Sequence, residues 1–319
     1  MSEEAVTVNL AFVFPGQGAQ YVGMGRELAE QYPVAAKVFS EADEALGFAL
    51  SEIIFTGPED SLKLTYHAQP ALLTVSIAAY RVFQDRTNRS AVVSAGHSLG
   101  EYSALVAAGV LDFQDAVRLV YQRGRFMDEA VPAGQGAMAA VLGLSEERLR
   151  TVCEEATDGD DLVEMANLNC PGQIAISGTA AAVGRASERA RAAGAKRVIP
   201  LVVSGPFHCR LMRPAAGKLS AALAVTRFHA GQWPVVANVD AVARTDADSI
   251  RQALEQQLYM PVRFQDDVLA MQSMGADTYV EFGPGTVLSG LIRKIDKGLT
   301  TLHVENTASL EETLSVLAN

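Results

Sequence analysis

The run Ala95-Gly96-His97-Ser98-Leu99-Gly100-Glu101-Tyr102 narrows the folds open to this chain more than any other stretch. An apolar, β-branched segment, Ala91-Val92-Val93, leads in, and a helix-forming run from Tyr102 to Ala108 leads out. The pattern reads as strand, sharp turn and helix, with Ser98 at the apex of Gly-x-Ser-x-Gly. Bulky residues in place of Gly96 or Gly100 would collide with the apex or with the adjoining helix. Such a turn offers an exposed hydroxyl and a helix N-terminus whose free amides stabilise negative charge. These residues alone leave two readings open: a nucleophile, or an ordinary N-cap serine.

Composition sets the wider frame. The 319 residues are 49% hydrophobic and 20% charged, which suits one large domain or two moderate ones in an ordinary soluble protein. No apolar run reaches the ~18 residues of a membrane helix, and the acidic start Met1-Ser2-Glu3-Glu4 is unlike a secretory signal. Cys153, Cys170 and Cys209 are odd in number and lack metal-ligand spacing, so no metal site is expected and a reducing cytoplasm is. A net charge of −11 argues against a nucleic-acid partner.

Along the chain, Val8 to Phe14 reads as a strand stopped by Pro15-Gly16-Gln17-Gly18. Tyr21 stands where the third glycine of a dinucleotide fingerprint would fall, and no Gly-Lys-Ser/Thr follows, so this is no nucleotide loop but a turn presenting Gln17. Arg26 to Leu46 is helical with a break at Pro33, and Pro70 to Phe83 is a helix buried beside the strand that carries Ser98. Asp112 caps a helix running to Ala130, in which Arg123 lies near the apolar side. That arginine is either a snorkelling surface residue or an anion-binding one.

Residues 134–203 have a pattern of their own, with strands at Ala137–Leu142, Leu162–Leu168, Gln173–Ser177 and Arg197–Val203, and helices at Ser145–Ala156 and Thr179–Ala193. The order β-α-β-β-α-β is that of a ferredoxin-like unit. After it come a helix at Leu211–Ala224, a strand at Pro234–Asn238, and helices at Ser249–Tyr259 and Val262–Met271. A strand at Thr278–Phe282 and a helix at Val287–Ile295 close the series. The reading is therefore an α/β protein: a hydrolase-like core with a mostly parallel sheet (1–133 and 204–319) and an inserted ferredoxin-like small domain (134–203).

Serine needs a base. His97 neighbours Ser98 and should point away, whereas His208 follows the Gly205-Pro206 break at a helix start and is the better candidate. A hydrolase acid is missing: Asp112, Asp115 and Asp128 all belong to one helix, and no His-Gly-Gly oxyanion motif occurs.

Several segments together resemble the malonyl-CoA:acyl carrier protein transacylases. They are Phe-Pro-Gly-Gln-Gly-Ala-Gln (14–20), Gly-His-Ser-Leu-Gly-Glu-Tyr-Ser (96–103), Gln-Arg-Gly-Arg-Phe-Met (122–127) and Asn-Cys-Pro-Gly-Gln (169–173). Gly-Pro-Phe-His (205–208), Gln-Leu-Tyr-Met-Pro-Val-Arg-Phe (257–264) and Glu-Phe-Gly-Pro-Gly (281–285) follow in the same order. The resemblance spans residues 8 to 296, with Ala19 and Met260 as small departures.

It implies a hydrolase-like core with a ferredoxin-like insert, and a ping-pong transfer of malonyl from malonyl-CoA to the phosphopantetheine thiol of acyl carrier protein. No tightly bound cofactor is implied. Ser98 resembles the acyl-accepting nucleophile, His208 its base, and Gln257 the residue whose main-chain carbonyl orients that base. The amides of Leu99 and Gln17 resemble the oxyanion hole, and Arg123 the partner of the malonyl carboxylate. Phe207 resembles a residue whose bulk disfavours a methyl branch. Kindred readings are a trans-acting acyltransferase of a polyketide synthase, a malonate decarboxylase subunit or a serine esterase.

An acidic carrier must approach an acidic enzyme. Arg185, Arg189, Arg191, Lys196 and Arg197, opposed in that stretch only by Glu188, are expected to form a basic docking patch beside the cleft. The bland alternative is a solvated helix face.

Overall fold

The computed structural model describes residues 8–318, so the acidic first four residues lie outside it. Strand β1 (Leu10–Phe14) is followed by α1 (Arg26–Gln31) and α2 (Pro33–Leu46), with Pro33 at the first position of the second helix. Proline is tolerated there because that N–H has no intrahelical acceptor. Short helices α3 (Leu50–Thr56) and α4 (Glu59–Lys63) lead to α5 (Thr65–Thr87). Next come β2 (Val93–Gly96), α6 (Leu99–Ala107) and α7 (Phe113–Ala130). Helix α5 begins five residues before Pro70 and packs on α2, α6 and α7, reaching the helix after Ser98 and the strand-side core. Asp112 precedes α7 without a side-chain capping bond; its carboxylate instead lies 3.0 Å from His229 Nε2.

The middle of the chain forms β3 (Gly136–Leu142), α8 (Glu146–Ala156), β4 (Val163–Cys170), β5 (Gln173–Thr179), α9 (Ala180–Ala192) and β6 (Arg197–Pro200). These strands make a separate antiparallel sheet in the order β4-β5-β3-β6, the order a ferredoxin-like unit requires. Ser145 and Thr179 cap the two helices by accepting from the Arg148 and Ala182 N–H groups. The pleat gives the sheet two faces. Ala139, Val141, Ile174 and Ile176 share a core with Leu149 and Val183 of α8 and α9, whereas Met138 and Ala175 point into the main core.

Beyond a tight helical turn at Arg210–Met212 come α10 (Arg213–Val225), β7 (Val235–Ala237), β8 (Val242–Arg244) and α11 (Ala247–Gln257). Then follow α12 (Phe264–Ser273), β9 (Thr278–Phe282), α13 (Val287–Ile295), β10 (Thr300–Val304) and α14 (Thr307–Ala318). The main sheet runs β10-β9-β1-β2-β7-β8, parallel except for the β7–β8 hairpin. Strands β1, β2 and β9 are buried along their whole length, and β1 accordingly reads as a continuous apolar run. Phe12 anchors the core, with ring centroids 5.2 Å from Phe282 and 5.7 Å from Trp233, both edge-on.

Candidate active site

The turn between β2 and α6 holds Ser98 at φ 52° and ψ −106°, a strained conformation for a residue with a side chain. Sterics force the flanking residues. A Cβ on Gly96 would lie 1.9 Å from the Gly100 carbonyl carbon, and one on Gly100 would lie 2.0 Å from the Phe14 oxygen. Because β1 pairs with β2 as far as Phe14 opposite Gly96, the Gln17 loop stands directly beside the turn. Gly16 permits that approach, since a Cβ there would sit 2.3 Å from the His97 oxygen.

Ser98 makes no capping bond with its side chain. Its Oγ lies 2.8 Å from His208 Nε2, and His208 Nδ1 lies 2.8 Å from the main-chain oxygen of Gln257. A carbonyl only accepts, so Nδ1 carries the proton and Nε2 faces the serine with its lone pair. Burial first, and the Arg123 charge second, hold the His208 pKa down at about 3, so the imidazole is neutral. His208 also has a positive φ, 59°, so both members of the pair sit on strained backbone. His97 turns away as expected, with Nε2 2.7 Å from Asn169 Oδ1.

Arg123, on α7, is 1% exposed and is no snorkelling residue. Its Nη1 donates to Gln69 Oε1 at 2.7 Å, and its Nη2 to Gln257 Oε1 at 2.9 Å and to Ser98 Oγ at 3.1 Å. The guanidinium stands over the Tyr102 ring at 5.4 Å. Among the described residues no carboxylate pairs with it. A desolvated cation held only by neutral acceptors is a site for an anion.

Below the serine lies a polar network that sequence reasoning missed. Asn238 Oδ1 accepts from the Ser98 N–H at 2.8 Å, and its Nδ2 donates to Gly96 O and to Asp267 Oδ2, both at 2.7 Å. Gln257 Nε2 donates to Ser98 O at 3.0 Å and to Glu101 Oε2 at 2.7 Å. Burial raises the Glu101 carboxyl to about 7 and that of Asp267 well above the usual carboxylate range. The one signal for Asn238 was its place as the polar last residue of the strand read at Pro234–Asn238, and Gln69 was hidden by a helix read as starting at Pro70.

A cavity of about 560 Å³ opens above the pair, walled by Gln17, His97, Asn167 and Phe207 and by the apolar Met138 and Val203. Leu99 opens α6, so its N–H belongs to the first turn, where no intrahelical acceptor exists. Cys209 beside His208 is buried, and burial pushes its thiol up to about 11, which leaves it inert. Among the described residues no group of three or more His, Cys, Asp or Glu could hold a metal.

The five basic residues of the small sheet do not form one free patch beside the cleft. Arg185 pairs with Asp161 and Arg189 with Glu155, each at 3.0 Å. Helix α9 covers the sheet face opposite the one that supplies Met138 to the cavity. Arg191, Lys196 and Arg197 are exposed and, among the described residues, have no acidic partner within ion-pair distance. Charge counting along the sequence could not see acids contributed by α8 and by the turn before β4.

An α/β core that holds a strained serine against a histidine at the floor of a cavity is the framework of a serine acyltransferase. The chain belongs to the acyl transferase domain family, whose match covers residues 11–311. It is 52% identical over 308 residues to malonyl CoA-acyl carrier protein transacylase of Bacillus subtilis, covering 97% of each chain. Against the Escherichia coli protein of the same name the identity is 49%, over 96% of this chain and 99% of that one. Among solved structures, an acyl carrier protein S-malonyltransferase from Vibrio cholerae superposes with a TM-score of 0.93 at 48% identity, covering 96% and 99% of the two chains. A holo complex described as a type II PKS acyl-carrier protein with its malonyl-transacylase gives 0.94 at 46% identity, covering 97% and 99%.

Proposed function

We infer that this protein transfers a malonyl group from malonyl-CoA to the phosphopantetheine thiol of an acyl carrier protein in fatty-acid synthesis, through a malonyl ester on Ser98. One observation carries the reading: a buried guanidinium, with no carboxylate paired to it among the described residues, lies 3.1 Å from a serine oxygen that is itself 2.8 Å from a neutral histidine. A three-carbon acyl group on Oγ keeps its far carboxylate within reach of that cation.

In the first half-reaction His208 Nε2 takes the Ser98 proton as Oγ attacks the thioester carbonyl. The oxyanion settles on the Leu99 and Gln17 amides. The carbon–sulfur bond then breaks, and CoA leaves as a thiol with the proton from His208. In the second half the carrier thiol gives its proton to His208, attacks the malonyl ester and releases Ser98 by the reverse steps. The Gln257 carbonyl fixes the imidazole plane and tautomer without adding a second buried charge. Arg123 donates bidentately to the malonyl carboxylate, and an acetyl group leaves it unpaired. Phe207, on the cavity wall, disfavours a methyl branch.

The main layer (1–133 and 204–319) supplies every reacting group, and the small layer (134–203) walls the cavity. In this reading the transfer needs no resident cofactor and takes place in the cytoplasm. Among the described residues no helix is long and apolar enough to cross a membrane. For the carrier, Arg191 at the end of α9 and Lys196 and Arg197 at the start of β6 form a docking edge, and the chain runs on from β6 to Leu201 and Val203 at the cavity. The polyketide complex among the structural relatives keeps a polyketide carrier as a second reading. Intact mass after mixing with malonyl-CoA tests the central step: one malonyl adduct on wild type and none on Ser98→Ala. A wild type that never acylates overturns the proposal.

A further inference from the structure

Both peptide groups of the strained serine are held by side chains, the carbonyl in addition to its helical bond from the Glu101 N–H at 3.0 Å. The Ser98 N–H goes to Asn238 Oδ1, and the Ser98 carbonyl accepts from Gln257 Nε2. Both of those residues are tied to one atom. Glu101 Oε2 accepts from the Asn238 main-chain N–H at 3.0 Å and from Gln257 Nε2 at 2.7 Å. Glu101 is 2% exposed and sits in the first turn of α6, three residues after Ser98. It therefore joins the nucleophile's own helix to the ends of β7 and α11.

The amide of Gln257 has two senses, and only one is compatible with its neighbours. With Nε2 turned toward Glu101 Oε2 and Ser98 O, Oε1 is left to face Arg123 Nη2 at 2.9 Å. A flipped amide would set donor against donor at Arg123 and acceptor against acceptor at Glu101. We propose that Glu101 is a positioning residue for acyl-group selection: by accepting through Oε2 it sets the sense of the Gln257 amide, which orients the Arg123 guanidinium, and steadies the turn that carries Ser98. It touches neither the acyl group nor the reacting atoms. Both hydrogen bonds use one oxygen, so the acceptor survives whether or not the other oxygen carries a proton.

The inference rests on the malonyl-transfer reading. The test is single-turnover acylation of the full-length protein by malonyl-CoA and by acetyl-CoA, read as a ratio of rates, which does not depend on the fraction of protein that is folded. Glu101→Met keeps the volume and removes the acceptor, whereas Glu101→Gln can return a carbonyl oxygen to the Oε2 position. The malonyl-to-acetyl ratio should fall by about tenfold or more in Glu101→Met, with malonyl acylation slowed by about 30-fold. Glu101→Gln should recover most of both losses. Should Glu101→Met not fold, Glu101→Asp withdraws the same oxygen by one methylene and should lower the same ratio. An unchanged ratio in the acceptor-deficient variant, or a Glu101→Gln as impaired as Glu101→Met, overturns the role of Glu101. Failure of wild type to acylate would instead overturn the malonyl-transfer reading.

Discussion

Arg123 Nη2 donates to Ser98 Oγ at 3.1 Å, so the cation read as an anion clamp is in direct contact with the proposed nucleophile before any substrate arrives. The contact favours negative charge on the serine oxygen and opposes a proton on His208, and it leaves the guanidinium fully buried with neutral partners only. One side chain thus bears on reactivity, on the protonation of the base and on selection of the acyl group.

Removing it should separate these effects. Arg123→Ala should lower malonyl loading of Ser98 by about 10² to 10³, the range for an uncompensated buried ion. Acetyl loading should be retained or gained, because no unpaired cation then penalises it. Competitive loading with the two thioesters, read by mass, measures the change. A parallel loss for both acyl groups would show that Arg123 does not select.

The same contact sets a pH prediction. His208 is held at about 3, by burial first and Arg123 second, so in wild type it should stay neutral throughout pH 5–8. Its depressed pKa means that its contribution to stability is complete above the unfolded value of about 6.5 and is lost as pH falls through the folded value. In Arg123→Ala the imidazole should titrate at a higher pH than in wild type. NMR titration of the ring reads this directly, and coincident curves would remove Arg123 as a cause.

Asp267 makes the opposite demand on pH. Its folded pKa lies well above the ordinary value, so the native state holds a proton that the unfolded chain gives up. Stability from this source is full below the unfolded pKa of about 4 and is lost as pH rises through the folded pKa. Asp267→Asn can still accept from Asn238 Nδ2 and cannot ionise. Urea midpoints of wild type should therefore fall more steeply between pH 5 and pH 8 than those of Asp267→Asn, and equal slopes would contradict the prediction.

Glycine identity should matter at the turn and little at a nearby loop. Gly96→Ala places a Cβ 1.9 Å from backbone, and we expect a loss of about 3 kcal/mol together with loss of acylation. Gly18→Ala meets nothing within 4 Å and bears only the strain of its φ of 106°, about 1 kcal/mol. Chemical melts of the two variants give the comparison.

Carrier docking can be tested with two charge reversals. Lys196→Glu with Arg197→Glu should raise KM for the carrier protein by about tenfold and leave that for malonyl-CoA unchanged, in keeping with electrostatic steering. Arg189→Glu, already neutralised by Glu155 in wild type, should do much less. Equal effects of the two changes would remove the docking edge.

Much of this was legible in the residues because the elements that build the site have strong local signatures. The turn at Ser98 declares itself by glycine spacing, and the small sheet by alternation and good helix caps at Ser145 and Thr179. The βαββαβ reading anticipated the observed strand order. What escaped was either too short to have a period or decided by distant partners. Strand β8 has only three residues, and β10, though five long, is mostly part-exposed at a sheet edge and lacks a clear apolar run. Pro70 suggested a helix start, yet it lies inside α5, and so Gln69 on Arg123 went unseen. Asp112 looked like a cap, but His229 takes its carboxylate. The network on Asn238, Glu101 and Asp267 joins three separate segments, and no local rule links them.

That distance has a consequence for how the molecule is made. The serine–histidine bond spans 110 residues of chain, and the Glu101–Gln257 bond 156. Closing such loops is entropically slow, and here a whole antiparallel layer must form between the two ends of the first. Helices and the small sheet can appear early from local contacts, while the reacting pair comes together only when the long loops close. Ser98 reactivity during refolding should therefore lag the return of helical signal, which makes acyl loading a reporter of completed folding as well as of catalysis.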